Sequence, residues 1–413
     1  MPIVDLVRER GPLTVAAFME LALYDSRVGY YARAARRSGR AGDFFTSVDV
    51  GPIFGELVEI QLAEMAQILA ASAEGGRASD AGRVLLDPPE ANDGRNKARP
   101  TGAFDLVEAG AGNGQLAADI LRAARRSDPA FYNRLRLHLV EASPLARAAQ
   151  LSTLGEVGER LATSAGELPF SFEGALLANE FLDALPVHQV VMREDGLREV
   201  YVHAVRQAGG GTSGGLMTRE GPLSTPALAD YLAHLKIALE PGWRVEINLR
   251  ATEWMRDAAR RLRRGFIVII DYGHEARELY SVTHAGGTLT TFARHTMAGP
   301  EAPGEVPPWL DRAGDQDITA HVDFTSVRAA AEAEGMFTLG FLDQTYFLMG
   351  LLTGGRESFA VSHTRIADLA NDSRPLKTLL MPGGLGSTHK VLILGKDVGA
   401  PALRGCSYRM RVT

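Results

Sequence analysis

From residue 104 onward, short apolar runs alternate with amphipathic stretches. The runs at 104–108, 136–141, 174–178, 244–247, 265–270 and 390–394 are too short for stable helices and read as strands. Segments 116–126 and 144–154 place apolar residues at helical spacing directly after the first two runs. That alternation predicts an α/β fold of the Rossmann-like kind, a mostly parallel doubly wound sheet with helices on both faces. Upstream, 13–23 and 51–71 are amphipathic, so the first seventy residues read as helical, with an irregular stretch at 42–47 between them.

Two segments break the pattern. Residues 72–103 are rich in Gly, Ala, Asp, Pro and Arg without periodicity and read as a flexible surface insertion. Residues 285–325 are polar and rich in Pro and Gly, and a loop of that length inside a compact domain is usually functional or disordered. The expected organisation is a helical region 1–71, the insertion 72–103, a core 104–284, a second insertion 285–325, and a segment 326–413 that completes the core sheet. No internal repeat is present.

Composition narrows the classes. With 413 residues, 46% hydrophobic and 23% charged, the chain is ordinary for a globular protein. A net charge of -6 gives no basis for nucleic-acid binding. The single cysteine, Cys406, excludes an intrachain disulfide framework and a Cys-rich zinc site. No apolar run reaches membrane-span length, and charged residues interrupt the first thirty-one positions, so no signal peptide is expected. On those grounds the expected location is cytoplasmic. Oligomeric state is not legible.

The strongest motif lies at 106–114, where Leu-Val-Glu-Ala-Gly-Ala-Gly-Asn-Gly passes from a predicted strand into a predicted helix. Such a turn lets backbone approach a ligand closely, with the helix N-terminus facing it. A dinucleotide fingerprint requires G-x-G-x-x-G, but the spacing is G-x-G-x-G and position 115 is Gln. No Gly-Lys-Ser/Thr follows, which excludes a P-loop. A glycine loop without pyrophosphate, preceded by the acid Glu108, suits the amino-acid end of S-adenosylmethionine. Its ammonium wants a carboxylate such as Glu108, and its carboxylate suits the N–H groups of Gly110, Gly112, Asn113 and Gly114. The second strand ends at Glu141, where an acid accepts ribose hydroxyls. The competing reading is that Glu141 only caps the helix from Pro144.

At this point the chain resembles a known family, the MidA-like class I methyltransferases. The resemblance rests on 24–31 (YDSRVGYY), 42–47 (GDFFTS), 107–122, 140–144 (VEASP), 178–188 (ANEFLDALPVH), 270–273 (IDYG) and 314–324 (GDQDITAHVDF). Two departures are visible: the family continues Thr-Ser with Pro-Glu, and here Val48-Asp49 stands instead, and the segment 72–102 reads as extra length. The family includes a mitochondrial complex I assembly factor that methylates an arginine of a complex I subunit. The resemblance therefore implies S-adenosylmethionine as cofactor and a protein substrate, with a respiratory-complex subunit as the family's example. It also implies that the 42–47 loop, with Thr46, covers the cofactor, and that Ala142 and Ser143 flank it beside Glu141.

Methyl transfer from a sulfonium is an in-line displacement that depends on positioning. Asn179 to Asp183 follows the run 174–178 and so lies at the C-terminal edge of a strand, where ligands react in open parallel sheets. Glu180 there suits a bidentate grip on a guanidinium, and its competing reading is a solvated acid in a turn. Asp183 either assists or caps a following helix, and Asn179 is placed toward the cofactor. His321 is the candidate proton acceptor, or else holds the loop in shape with Asp323. Asp271, His274, His295, Asp317, His321 and Asp323 include metal-ligating types, but no pair has a tight ligand spacing, so no metal is expected. The expected function is an S-adenosylmethionine-dependent methyltransferase acting on arginine in a protein. A small-molecule methyltransferase, and an assembly factor retaining the fold, are the alternatives.

Overall fold

The computed structural model describes residues 2–32, 46–79, 102–205, 215–293, 296–299, 306–353, 373–380 and 388–408. Eight strands make the central sheet: β1 (Phe104–Ala109), β2 (Leu135–Val140), β3 (Leu161–Ala165), β4 (Phe172–Asn179), β5 (Leu262–His274), β6 (Val322–Asp323), β7 (Phe337–Asp343) and β8 (His389–Lys396). Their order is β7-β8-β5-β4-β1-β2-β3, and β6 pairs with the C-terminal end of β5. Strands β1 to β5 run parallel, while β8 lies antiparallel between β5 and β7.

Alternation along the strands builds two cores. On one face Phe104, Leu106, Leu177 and Val268 pack with the helices α1 (Ile53–Ser79) and α2 (Gln115–Ser127). A further helix, α3 (Pro144–Leu154), follows β2. On the other face Val107, Leu176, Ile267 and Ile269 meet α4 (Leu249–Arg261) and α5 (Phe324–Glu332). Burial on both faces explains why these strands read as continuous apolar runs.

A second sheet, antiparallel throughout, combines Leu13–Thr14, His188–Arg193, Gly196–Val205, Gly215–Gly221 and Arg244–Ile247. The predicted strand at 244–247 belongs here, paired with His188–Arg193, and not to the parallel sheet. The 13–23 segment is likewise divided, with a short strand, a helix Val15–Met19 and a π-helical turn Glu20–Tyr24. Phe18, Met19, Val200, Val202 and Trp309 share one core, so the N-terminal helices rest on this sheet. The 285–325 segment holds more regular structure than expected: Thr290–Ala293, Thr296–Ala298 and Asp317–Thr319 form a small sheet, preceded in the chain order of its last strand by a helix Pro308–Asp311. Most of 72–103 lies outside the described residues, although α1 continues to Ser79.

Candidate functional site

The carboxyl ends of β1, β2, β4 and β5 are neighbours, and each delivers part of the site. After β1 the chain turns through Gly110, Gly112 and Gly114, with φ of 70°, 50° and 83°. Gly110 and Ala111 donate to the carbonyl of Val140 at 3.0 and 3.1 Å, which ties the loop to the end of β2. A Cβ on Gly110 would stand 2.8 Å from the Phe181 ring, so this position brings the loop against the residue after Glu180. A Cβ on Gly112 would meet nothing within 4 Å, so this backbone faces open space. Asn113 accepts from the N–H of Gln115 at 3.2 Å and steadies the entry into α2.

Glu141 takes hold of the same loop. Its Oε2 accepts from Gly112 N–H at 2.8 Å and its Oε1 from Ser143 N–H at 2.7 Å. The cap of α3 is Ser143, whose hydroxyl accepts from Ala146 N–H at 3.3 Å. The cap reading of Glu141 is therefore replaced. Ala142 is exposed between them, and Arg147 donates to its carbonyl at 2.9 Å.

Glu108 lies beneath the loop, 5% exposed, with one carboxylate oxygen that has no hydrogen-bond partner among the described residues. Burial, reinforced by Glu141 and Asp119 and opposed by the N–H of Ala117, pushes it up to about 8. A carboxyl that titrates at 4.5 in the unfolded chain and about 8 in the fold binds its proton more tightly when folded. Its contribution to stability is full below 4.5 and is lost as pH rises through 8. Urea unfolding between about pH 5 and 8 should show wild type losing up to about 1.4 kcal/mol per pH unit relative to Glu108→Gln. A difference that stays flat with pH would contradict this placement of Glu108.

The third segment follows β4. Asn179 keeps its Oδ1 buried without a hydrogen-bond partner among the described residues, and Glu180 has a left-handed backbone with φ of 48°. The Glu180 N–H still donates to Ile270 at 2.8 Å, so the turn begins where the β4–β5 ladder ends. A non-glycine residue held in this conformation costs about 1–3 kcal/mol and persists where surroundings enforce it. Asp271, fully buried at the end of β5, supplies that enforcement. Its Oδ2 accepts from Phe181, Leu182 and Asp183 N–H at 3.1, 2.8 and 3.4 Å. Asn248 adds a bond to the Leu182 carbonyl at 3.2 Å.

Carboxylates crowd at this turn. Burial, then Asp271, Asp317 and Glu180, hold Asp183 well above the usual carboxylate range. Burial pushes Asp271 to about 7 despite its three backbone donors. No helix follows Asp183, so its expected capping alternative falls, and its carbonyl instead accepts from Ala320 N–H at 3.0 Å. Among the described residues, neither Glu180, Asp183 nor Asp271 pairs with a lysine or arginine.

Other residues close on Glu180 that sequence reasoning did not single out. Ser47 N–H donates to its Oε1 at 3.4 Å, and His389 Nε2 stands 3.4 Å from the same oxygen. The His389 ring lies 3.8 Å from that of Tyr272. Gln344, fully buried at the start of the helix α6 (Gln344–Thr353), donates to Ser47 Oγ at 3.1 Å. Ser47 lies in the 42–47 stretch, whereas Gln344 and His389 stand among other polar residues beside apolar segments, and only the fold brings the three together. Residues 42–45 of the expected covering loop lie outside the described residues. Thr46 spends both its N–H and its hydroxyl on Asp49, at 3.0 and 2.8 Å, so Ser47 is the residue that reaches the site. Asp49, half of the Val48-Asp49 departure, thus closes the one-turn helix Ser47–Val50.

His321 stands elsewhere in the network. Its ring neighbours are His274 and His284, at centroid distances of 5.3 and 5.8 Å. Burial, aided by those two rings, lowers it to about 4, which makes it a weak proton acceptor at neutrality. His295 lies outside the described residues.

A family model described as "Putative S-adenosyl-L-methionine-dependent methyltransferase" matches residues 92–342, more than half of the chain. The chain belongs to that family. Similar curated proteins include the Drosophila melanogaster "Protein arginine methyltransferase NDUFAF7 homolog, mitochondrial", 27% identical over 95% of this chain and 84% of its own. The human "Protein arginine methyltransferase NDUFAF7, mitochondrial" is 28% identical over 84% of this chain and 71% of its own. Among solved structures, a Burkholderia thailandensis COG1565 superfamily member bound to S-adenosylhomocysteine superposes with a TM-score of 0.75 at 26% identity, covering 98% of this chain and 92% of its own.

This methyltransferase uses S-adenosylmethionine as its cofactor. The residues present fit that group: the open backbone at Gly112, and the oxygen of Glu108 and Oδ1 of Asn179 that have no hydrogen-bond partner among the described residues, all flank one sheet edge. The cytoplasmic expectation is corrected, because the curated relatives are named as mitochondrial proteins. It rested on the lack of a leader-like pattern, which is weak evidence for location. Among the described residues, no helix is long and apolar enough to cross a membrane.

Proposed function

We propose that this methyltransferase modifies a guanidinium nitrogen of arginine in a protein substrate. The observation that supports it most is the convergence of Glu180, Asp183 and Asp271, with Asp317 close enough to perturb Asp183, at a turn where, among the described residues, none of the first three pairs with a lysine or arginine and the basic neighbour is His389, 3.4 Å from Glu180. Buried carboxylates that raise one another's pKa favour a cation in their midst. A guanidinium meets that demand with a planar fork of donors. The relatives' names agree with this reading. A respiratory-complex subunit is the protein substrate that the family resemblance favours.

In this reading Gly110, Gly112, Asn113, Gly114 and Asn179 line the cofactor, with Ala142 and Ser143 beside Glu141. Glu141 takes the ribose hydroxyls with the acceptor capacity left after its two backbone bonds. Glu108 takes the ammonium. The bound cofactor supplies an electrophilic methyl on a sulfonium. Glu180 accepts two hydrogen bonds from the guanidinium and aims one nitrogen, so that an N–C bond forms as the S–C bond breaks. The proton released from that nitrogen passes to the Asp183 carboxylate, whose raised pKa suits it better than the lowered imidazole of His321. Asp271 positions the turn.

Incubating a candidate proteome with methyl-labelled cofactor tests the acceptor. Mass spectrometry is expected to find label on arginine side chains of a protein. Label on lysine, or only on small molecules, would overturn the proposal.

A further inference from the structure

We propose that His274, His284 and His321 form a binding site for a divalent transition-metal ion of the zinc class. The three come from separate segments: the last residue of β5, the turn Val282–His284, and the residue just before β6. One ligand-capable atom from each lies within 4.8 Å of the others. In a tetrahedral site with metal–nitrogen bonds of about 2.0–2.1 Å, such atoms stand about 3.3 Å apart, so modest ring movements close the set.

Among the described hydrogen bonds, none joins one of these imidazoles to another, although the centroids of His274 and His284 are 4.8 Å apart. The Nδ1 of His321 is buried with no hydrogen-bond partner among the described residues.

Outer contacts resemble those that orient metal-binding histidines. His284 Nδ1 lies 3.1 Å from the carbonyl of Glu278, which leaves Nε2 as its open ligand atom. The Glu278 carboxylate stands 3.0 Å from His274 Nδ1, where it can hold that ring from outside the cluster. The His321 backbone is fixed by its N–H bond to Thr288 Oγ1 at 3.1 Å. An all-imidazole set suits zinc, nickel or copper and not magnesium or calcium. Separations of ten and thirty-seven residues hide the cluster from any motif search, and His284 had no signal at all.

The site adjoins the acceptor side. Ala320, next to His321, donates to the carbonyl of Asp183 at 3.0 Å. A bound ion therefore clips the 282–288 turn and the 319–322 turn to the end of β5 beside the carboxylate cluster.

Calorimetric titration of zinc into tag-free, chelator-treated protein tests this. About one ion per chain is expected, unaffected by excess magnesium, with zinc raising the melting temperature. His284→Ala should bind at least about tenfold more weakly and lose the thermal shift. His284 sits on a short turn, so this variant is expected to melt like metal-free wild type even where His321→Ala fails to fold. Absence of a stoichiometric site, or equal zinc affinity in wild type and His284→Ala, would overturn the proposal.

Discussion

Replacing Glu141 by alanine is expected to weaken S-adenosylmethionine binding by about a hundredfold, close to 2.8 kcal/mol. The size follows from what the carboxylate holds. It accepts from Gly112 and Ser143 at 2.8 and 2.7 Å, bracing the glycine loop against the entry into α3. Losing it removes the proposed ribose acceptor and frees both N–H groups, each change worth about 1–3 kcal/mol. Because Ser143 caps α3 independently, the helix itself should survive. A circular-dichroism melt close to wild type, beside the weakened binding, separates the two effects.

The second large effect is expected at Glu180. Glu180→Gln keeps the shape and the acceptor for Ser47 N–H but removes the charge. Single-turnover methyl transfer should slow by about a thousandfold, in line with the loss of a preorganised group acting on the reacting centre. Cofactor affinity should change by no more than about threefold, since Glu180 is assigned to the acceptor. A variant that transfers methyl at the wild-type rate would remove Glu180 from the mechanism. Asp271 would then be holding the turn for another purpose.

The proposed cofactor half of the site is legible because its determinants are local. Glu108, the three glycines and Glu141 lie within a single β-α-β unit, and the apolar runs around them are buried on both faces of the sheet. The proposed acceptor half is legible only in part. Asn179 and Glu180 announce themselves by following an apolar strand, yet Ser47 and His389 reach Glu180 from distant positions, with Gln344 bonded behind Ser47. Strand β3 alternates half-buried and exposed positions, and β7 is mostly half-buried, so neither shows a clear apolar run. The second sheet was missed for a different reason. Its strands interrupt the β-α alternation, and hydrophobic pattern alone cannot assign the 244–247 run to an antiparallel neighbour. Residue type makes His321 either a candidate proton acceptor or a residue that holds its loop in shape. Burial among two other imidazoles changes its chemistry, and no sequence pattern displays that.

One calorimetric comparison tests the division of labour most directly: titration of S-adenosylmethionine into wild type, Glu141→Ala and Glu180→Gln. The account predicts tight binding by wild type and Glu180→Gln, and binding about a hundredfold weaker by Glu141→Ala. Equal affinity in wild type and Glu141→Ala, or collapse of binding in Glu180→Gln, would contradict it.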